Sequence, residues 1–310
     1  MSKKIIIGSR SSKLALFQSN FVLEKIKKFF PKKSIQIKEI KTKGDILLNQ
    51  VLDSSIGKGF FVNEIQKKLI NKEIDIAVHS IKDLPTENSK DLTISAILKR
   101  GNYKDVFIYK QNKKQLLELT NSDTIATSSL RRKVQLKRIN PNVNIIDIRG
   151  NVDSRILKMN NGYCDGLIMA AAGLERIGMK KIITEYLNSN IMLNAPGQGA
   201  IAIETRKNDD RVNSIVSKLN HKETRCCVEA ERSFLKELQG GCSTPFGAYA
   251  FLKNGYLILE GMISSIDGKK YERLKIKSKI DNPIKLGIRL AKKILKNGGE
   301  NILHEIKNKK

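Results

Sequence analysis

Tryptophan is absent from this chain of 310 residues, and cysteine and histidine are scarce. The four cysteines, Cys164, Cys226, Cys227 and Cys242, show no C-x-x-C spacing, and the three histidines are scattered. This pattern does not outline a structural zinc site, so we expect no metal. So few cysteines in a chain without an export signal predict free thiols in a reducing compartment, and therefore a cytoplasmic location.

Long apolar runs are missing as well. The longest weakly polar stretch, Gly166–Leu174, is far shorter than the roughly 20 residues that a membrane span requires. The segment Met1–Gly8 has a short apolar run without a small-residue cleavage site, so no export signal is predicted. We expect a soluble protein with no membrane partner.

Acidic residues are few, 31 against 58 lysines and arginines, which gives a formal net charge of +27. Such a charge suits nucleic acid, an anionic membrane or an acidic substrate. Many lysines lie in runs such as 25–28 and 307–310, which indicates composition bias for much of the excess. No helix-turn-helix, zinc or aromatic stacking motif is present, so nucleic acid is not favoured as a partner.

Short apolar strands that end in polar residues recur along the first two thirds of the chain, and most of them lead into a helix. This alternation predicts α/β lobes with mostly parallel, doubly wound sheets, which bind ligands beyond the carboxyl ends of their strands. Two such sets, about 1–99 and 103–195, predict two similar lobes with a cleft for a small molecule. The predicted strands are Ile5–Gly8, Ile74–Val78, Thr124–Ala126, Val143–Ile148 and Asp165–Ala170.

The last ninety residues follow a different pattern. A helix over Glu223–Leu238 precedes three strands joined by Asn254-Gly255 and Asp267-Gly268, which are strong hairpin signals. A final helix begins near Pro283, so a small α+β domain is predicted. Earlier in the chain, the polar stretch Gly44–Gly59 is either a mobile lid or an ordinary surface loop.

Arginines stand in or just after several of the predicted strand-to-helix turns. A guanidinium matches a carboxylate in a bidentate way, and helix amino ends add unpaired N–H donors, so the combination predicts anion binding. Any one of these arginines could equally be a solvated surface residue. Phosphate would fit as well as carboxylate, but no nucleotide-binding glycine motif is present. The arginines are Arg10, Arg131, Arg132, Arg149 and Arg155.

Two further residues could carry chemistry. Asp83 follows Lys82 at a predicted strand end and could transfer protons or stabilise a cation, although an aspartate before Leu-Pro is commonly a turn residue. Cys242 follows Gly240-Gly241, which would keep its thiol accessible, although free cysteines are commonly small core residues. Local sequence leaves both alternatives open.

Six segments of the chain form a recognisable set: Gly8–Ser12, Asp75–Asp83, Thr127–Arg132, Arg149–Val152, Pro196–Ala200 and Glu231–Gly247. Together they resemble the porphobilinogen deaminase family, also called hydroxymethylbilane synthases. The resemblance spans nearly the whole chain, and the segments occur in the family's order. One departure is Lys13, where the family commonly has proline, and it bears on the rigidity of that loop.

The resemblance implies two periplasmic-binding-protein-like lobes and a smaller α+β domain that carries the cofactor. The expected bounds are 1–99 plus about 198–217 for lobe 1, 103–195 for lobe 2 and 220–310 for the third domain. The implied cofactor is dipyrromethane, held by a thioether on Cys242. Family precedent also implies a monomer.

The implied reaction condenses four porphobilinogen molecules head to tail on this primer, with loss of ammonia at each step. Hydrolysis then releases hydroxymethylbilane, which passes to uroporphyrinogen-III synthase in heme biosynthesis. Asp83 would assist the loss of ammonia and stabilise the resulting cation. The cofactor carboxylates would bind to Lys82, Ser128, Ser129, Arg131 and Arg132, and the substrate to Arg10, Ser12, Arg149, Arg155 and Arg176.

The main rival hypothesis is a non-enzymatic anion-binding protein with the same two lobes. An exported solute-binding protein would carry an export signal, and it would need neither the third domain nor the thiol of Cys242. The sequence therefore favours the enzyme.

Overall fold

The computed structural model describes residues 4–40, 59–87, 89–238 and 244–308. The chain divides into two compact units, Met1–Gly101 with Ala200–Arg225 and Asn102–Gly199 with Cys226–Lys310. The described strands are β1 (Ile5–Arg10), β2 (Ile35–Ile40), β3 (Ile76–Ser80), β4 (Leu92–Ile97), β5 (Asp105–Tyr109), β6 (Thr124–Ala126), β7 (Asn144–Ile146), β8 (Gly166–Ala170), β9 (Glu185–Tyr186), β10 (Ile201–Arg206), β11 (Phe246–Lys253), β12 (Tyr256–Ser264) and β13 (Tyr271–Lys279). The described α-helices are α1 (Lys13–Phe29), α2 (Gly59–Ile70), α3 (Leu130–Ile139), α4 (Val152–Asn160), α5 (Ala171–Arg176), α6 (Asp210–Val216), α7 (Lys222–Glu237), α8 (Pro283–Ile294) and α9 (Glu300–Asn308).

The first unit contains a five-stranded sheet in the order β2-β1-β3-β10-β4. Strand β1 runs parallel to β2 and β3, whereas β10 is antiparallel to both of its neighbours. Alternate residues of β3 face opposite sides, so Ile76 and Val78 pack with Val22 and Val212 from α1 and α6, while Ala77 packs with Ile65 from α2. Helices thus cover both faces of this sheet.

The second unit repeats the scheme in a sheet of order β7-β6-β8-β5-β9. Strand β6 is parallel to β7 and β8, and β5 is antiparallel to its neighbours β8 and β9. Along β5, Val106 packs with Ile156 of α4, and Phe107 packs with Leu136 of α3. Strand β5 therefore has the same place in this sheet that β10 has in the first.

A three-stranded antiparallel sheet, β11-β12-β13, forms the smaller part of the second unit. Asn254 and Gly255 both have positive φ, as a two-residue hairpin turn requires. One face of this sheet packs against α7, α8 and α9 through residues such as Phe234 and Leu290. On its other face, Met262 joins Val134 and Leu193 in a small apolar cluster.

The predicted α/β lobes with a smaller α+β domain are therefore confirmed. The prediction of mostly parallel sheets is corrected at one strand of each sheet, because β10 and β5 each run antiparallel to both of their neighbours. The predicted final helix begins at Pro283, the chain kinks at Gly298, whose φ of 121° is not helical, and α9 follows as a separate helix. The expected bounds of the three domains stay a prediction. None of the described helices is both long and apolar enough to cross a membrane.

Candidate functional site

Four predicted site residues lie at one edge of the first unit's sheet. Arg10 ends β1, and Ser12 caps α1 by accepting a hydrogen bond from the Ala15 N–H at 3.4 Å. Lys82 and Asp83 lie in a 3₁₀ turn directly after β3, the parallel neighbour of β1. The carboxyl ends of adjacent parallel strands share one edge, so all four lie on the side where such sheets bind ligands. Each of the four is partly exposed.

Buried polar groups hold the end of β3 in place. The Gln18 side chain of α1 donates to the Ser80 hydroxyl at 2.8 Å. His79 Nε2 lies 3.1 Å from Glu204 Oε2 of β10, and Gln66 of α2 donates to the other oxygen of that carboxylate at 2.8 Å. Buried polar groups are stable when they are paired in this way. The turn with Lys82 and Asp83 therefore follows a strand that is tied by side chains to α1 and to β10, whose Glu204 is in turn held by α2.

In the second unit, Ser128 joins the ends of β6 and β7. Its hydroxyl donates to the Ile148 carbonyl at 2.7 Å and accepts from the Ile148 N–H at 2.9 Å. Because its hydrogen is engaged there, contact between Ser128 and a ligand carboxylate stays a prediction.

Two helices of the second unit begin at this edge without a side-chain cap. Ser129 is the N-cap of α3 and Asn151 is the N-cap of α4, and neither side chain accepts a hydrogen bond from the helix backbone. The first N–H groups of a helix have no partner within the helix and attract anions. The two helix ends therefore suit a ligand with several carboxylates.

The adjacent arginines of α3 share one buried carboxylate, Asp105 at the start of β5. Arg131 Nη1 donates to Asp105 Oδ2 at 2.7 Å, and Arg132 Nη2 donates to Oδ1 at 2.7 Å. Gln198 adds a hydrogen bond to Oδ1 at 3.1 Å, and Asp105 has no exposed surface. Burial raises the pKa of Asp105, but the charges of Arg131 and Arg132 outweigh this and hold the pKa well below its ordinary value.

Local sequence missed Asp105 and the role of Gln198. Asp105 could have been predicted, because it begins the apolar run Asp105–Tyr109 and a buried carboxylate requires a partner. The two arginines share this one carboxylate. Their contact with a ligand carboxylate stays a prediction.

Besides Arg10, three arginines of the second unit are expected at the substrate, and they differ in their surroundings. Arg149 is exposed, and its guanidinium makes no hydrogen bond or ion pair within the part of the chain that the structure describes. Arg155 Nε donates to the Gly150 carbonyl at 2.8 Å. Arg176 Nη2 donates to the Gly199 carbonyl at 2.6 Å, and burial lowers the pKa of Arg176 to about 10. At neutral pH Arg176 is still a cation.

Cys242 lies outside the described residues, as does the predicted lid at 44–59 apart from Gly59. The other cysteines are free thiols, and burial raises the pKa of Cys164 to about 11. Cys226 and Cys227 belong to α7, as expected of packing residues.

These features define a class: a two-lobed α/β protein with cationic groups and helix amino ends beside its strand ends, and a small α+β domain. The chain matches the family model "Porphobilinogen deaminase, dipyromethane cofactor binding domain" over residues 5–214 and "Porphobilinogen deaminase, C-terminal domain" over 225–296. It therefore belongs to the porphobilinogen deaminase family, which confirms the resemblance of its motifs.

Named relatives match over their whole length. The chain is 45% identical to porphobilinogen deaminase of Chlorobium phaeovibrioides and 42% identical to that of Carboxydothermus hydrogenoformans, over 99% of this chain and 99% and 98% of theirs. Among solved structures, the VFT2 domain of Bordetella pertussis BvgS aligns with 69% of this chain and 85% of that chain, at 16% identity and a TM-score of 0.43.

The matched cofactor-binding model covers the two lobes rather than the region of Cys242. The donors in the lobes fit a dipyrromethane group, because guanidinium groups and free helix N–H groups both bind carboxylates. The part of the chain that carries Arg131, Arg132, Ser129 and Arg149 thus suits the cofactor and substrate of this family.

Proposed function

We propose that this chain is a hydroxymethylbilane synthase. It condenses four porphobilinogen molecules head to tail on a dipyrromethane primer, with loss of ammonia at each step, and then releases the linear tetrapyrrole by hydrolysis. The observation that carries the proposal is the placement of Asp83 next to Lys82 at the carboxyl end of β3, at the same sheet edge as Arg10 and Ser12.

Asp83 is the proposed catalytic residue. Loss of ammonia leaves positive charge on the substrate, and a carboxylate held beside that charge stabilises it. The same carboxylate accepts the proton that leaves the attacked ring. His79, Glu204 and Gln66 support this role because they fix the strand that precedes the turn.

The cations have a binding role in this proposal. Each porphobilinogen ring carries two carboxylates, so a growing chain accumulates negative charge. The substrate is held by Arg10, Ser12, Arg149, Arg155 and Arg176. The cofactor is held by Lys82, Ser128, Ser129, Arg131 and Arg132. When bound, the cofactor supplies the pyrrole carbon to which the first substrate ring is joined.

The thiol of Cys242 is the proposed attachment point of the primer. A thioether is stable, so the primer stays while the product leaves. We further propose that the protein acts as a monomer in the cytoplasm and that uroporphyrinogen-III synthase takes up its product.

Intact mass tests the attachment. The purified protein is expected to exceed the mass of its sequence by one dipyrromethane group, and Cys242→Ser is expected to lose the excess. The matched control is Cys226→Ser, which changes a partly exposed thiol of α7 and should keep the adduct. An unmodified parent protein, or an adduct retained by Cys242→Ser, would refute the attachment.

Porphobilinogen consumption tests the role of Asp83. Asp83→Asn is expected to lower the rate on the order of a hundredfold or more, because the amide cannot accept the proton. Asp91→Asn is the matched control, since Asp91 is exposed before β4, at the opposite edge of the same sheet. A parental rate in Asp83→Asn with the adduct present would remove Asp83 from the mechanism.

A further inference from the structure

A basic face lies along α8 and the turn that follows it, and it contains none of the residues placed in the site above. Over residues 285–293 its cations fall within roughly 100° of the helix circumference, and one more follows a turn later. All five are exposed. This basic α8 face consists of Lys285, Arg289, Lys292, Lys293 and Lys296.

Folding does not explain this arrangement. Like charges three or four residues apart repel each other and destabilise a helix. Arg289 Nη2 donates to the Lys277 carbonyl of β13 at 2.9 Å, which fixes its position. The four lysine ammonium groups of the face make no ion pair or hydrogen bond within the residues that the structure describes.

The basic face borders an open groove of about 630 Å³ beside the end of β13. Asp281 is the acidic residue of the groove lining, and its Oδ1 accepts from the Asn282 N–H at 2.9 Å. The lining in the described part of the chain contains no aromatic side chain. An anionic partner therefore meets five cations and one carboxylate there, without a ring on which a nucleic acid base could stack.

Aliphatic side chains continue from the buried side of α8 into solvent next to the cations. The buried side consists of residues such as Leu286 and Leu290, which pack on the three-stranded sheet. Ile284 is 51% exposed, Ile280 just before the helix is 43% exposed, and Ile288 lines the groove. A helix with exposed aliphatic side chains beside lysines and arginines is typical of binding to a membrane surface.

We propose that the basic α8 face docks this protein on an anionic phospholipid surface. The lysines and Arg289 lie among the headgroup phosphates, and Ile280 and Ile284 insert beside them. The aliphatic rather than aromatic character of the exposed residues favours lipid over nucleic acid. Such docking is peripheral and requires no membrane-spanning helix, and it departs from the expectation, based on the lack of long apolar runs, that the protein has no membrane partner.

Flotation of the full-length protein with vesicles tests the proposal. Vesicles of phosphatidylglycerol and phosphatidylcholine are expected to carry the protein upward at low salt, and phosphatidylcholine alone is not. The triple variant Lys285→Glu, Lys292→Glu, Lys293→Glu is expected to bind on the order of a hundredfold more weakly. High salt should weaken binding of the parent protein as well, because it screens the cations.

A matched triple variant controls for the high net charge of the chain. Lys113→Glu, Lys180→Glu and Lys181→Glu alter three exposed lysines of the same unit by the same charge. This variant should bind anionic vesicles nearly as well as the parent. Equal losses in the two triple variants would overturn the proposal, because net charge alone would then account for binding.

Two further measurements distinguish a lipid surface from a nucleic acid as the partner of the basic α8 face. Ile280→Ser with Ile284→Ser should weaken vesicle binding about tenfold, whereas Leu117→Ser with Leu157→Ser, at other exposed positions, should not. If polyuridylate binds through the α8 lysines while anionic vesicles do not bind, the face recognises nucleic acid and the lipid proposal is wrong. Failure of anionic vesicles to bind the parent protein would also overturn it.

Discussion

Strands β10 and β5 have the same place in the two five-stranded sheets, and each buries one carboxylate. Glu204 of β10 is paired with His79 and Gln66, so its partners bring at most one positive charge. Asp105 of β5 is paired with Arg131 and Arg132, which bring two. The two sheets thus share a topology and differ in the electrostatics beside their strand ends.

The buried carboxylates of the two sheets, Glu204 and Asp105, therefore have different roles. In the first unit the buried carboxylate steadies the strand before Asp83, while the cations Arg10 and Lys82 stay partly exposed. In the second unit Asp105 orients two guanidinium groups that are buried beside it. Charged groups are costly to bury, so these groups require close pairing. The contact of Arg131 and Arg132 with cofactor carboxylates stays a proposal.

The largest effect is expected from Asp105→Asn, which removes the shared counter-ion of Arg131 and Arg132. Two buried guanidinium groups would lose their counter-ion, and loss of one partner of a buried ion pair costs about 3–5 kcal/mol. The free energy of unfolding at pH 7, measured in urea, should fall by that amount. Asp147→Asn is the control and should cost below about 1 kcal/mol, because Asp147 is exposed and pairs with Lys133 at the surface.

Asp105→Asn is also expected to change how the free energy of unfolding depends on pH. Because the pKa of Asp105 is lowered by folding, its stabilisation is present above the unfolded pKa of about 3.9 and is lost as pH falls towards the folded value. The parent protein should therefore lose stability below about pH 4, and the fall should be shallower in Asp105→Asn. If the free energy of unfolding fell with pH at the same slope in the parent protein and in Asp105→Asn, Asp105 would not be the group responsible.

The sequence predicted the local elements well. Strand β6 has the predicted bounds, and α7 differs from prediction by one residue at each end. Periodicity and turn residues decide such elements within a short window. Strand β7 is shorter than the predicted Val143–Ile148, because both ends of that run lie outside the ladder with β6.

Long-range pairing was beyond the local patterns. Arg131 and Asp105 are 26 residues apart, and His79 and Glu204 are 125 apart, so no motif contains both partners. The arginines were predicted as ligand contacts from their place at a helix amino end, and that place is confirmed. Their shared carboxylate depends on the antiparallel strand β5, which local periodicity does not pair with any neighbour.

A smaller effect is expected from Ser128→Ala, which tests how the second unit holds its strand ends. The Ile148 N–H and carbonyl would lose their partner, and two such hydrogen bonds contribute about 1–2 kcal/mol. The free energy of unfolding in urea measures this loss. Ser129→Ala should cost less, since the Ser129 side chain makes no capping hydrogen bond. Equal losses would contradict the structural role of Ser128.

The smallest effect is expected from Glu204→Gln, which sharpens the contrast between β10 and β5. The amide of the new side chain can still accept from Gln66 and bond to His79, so most of the buried polar pairing survives. We expect a loss of about 1 kcal/mol in the free energy of unfolding at pH 7. If Glu204→Gln cost as much as Asp105→Asn, the two buried carboxylates would be electrostatically alike, and the distinction between the lobes would fail.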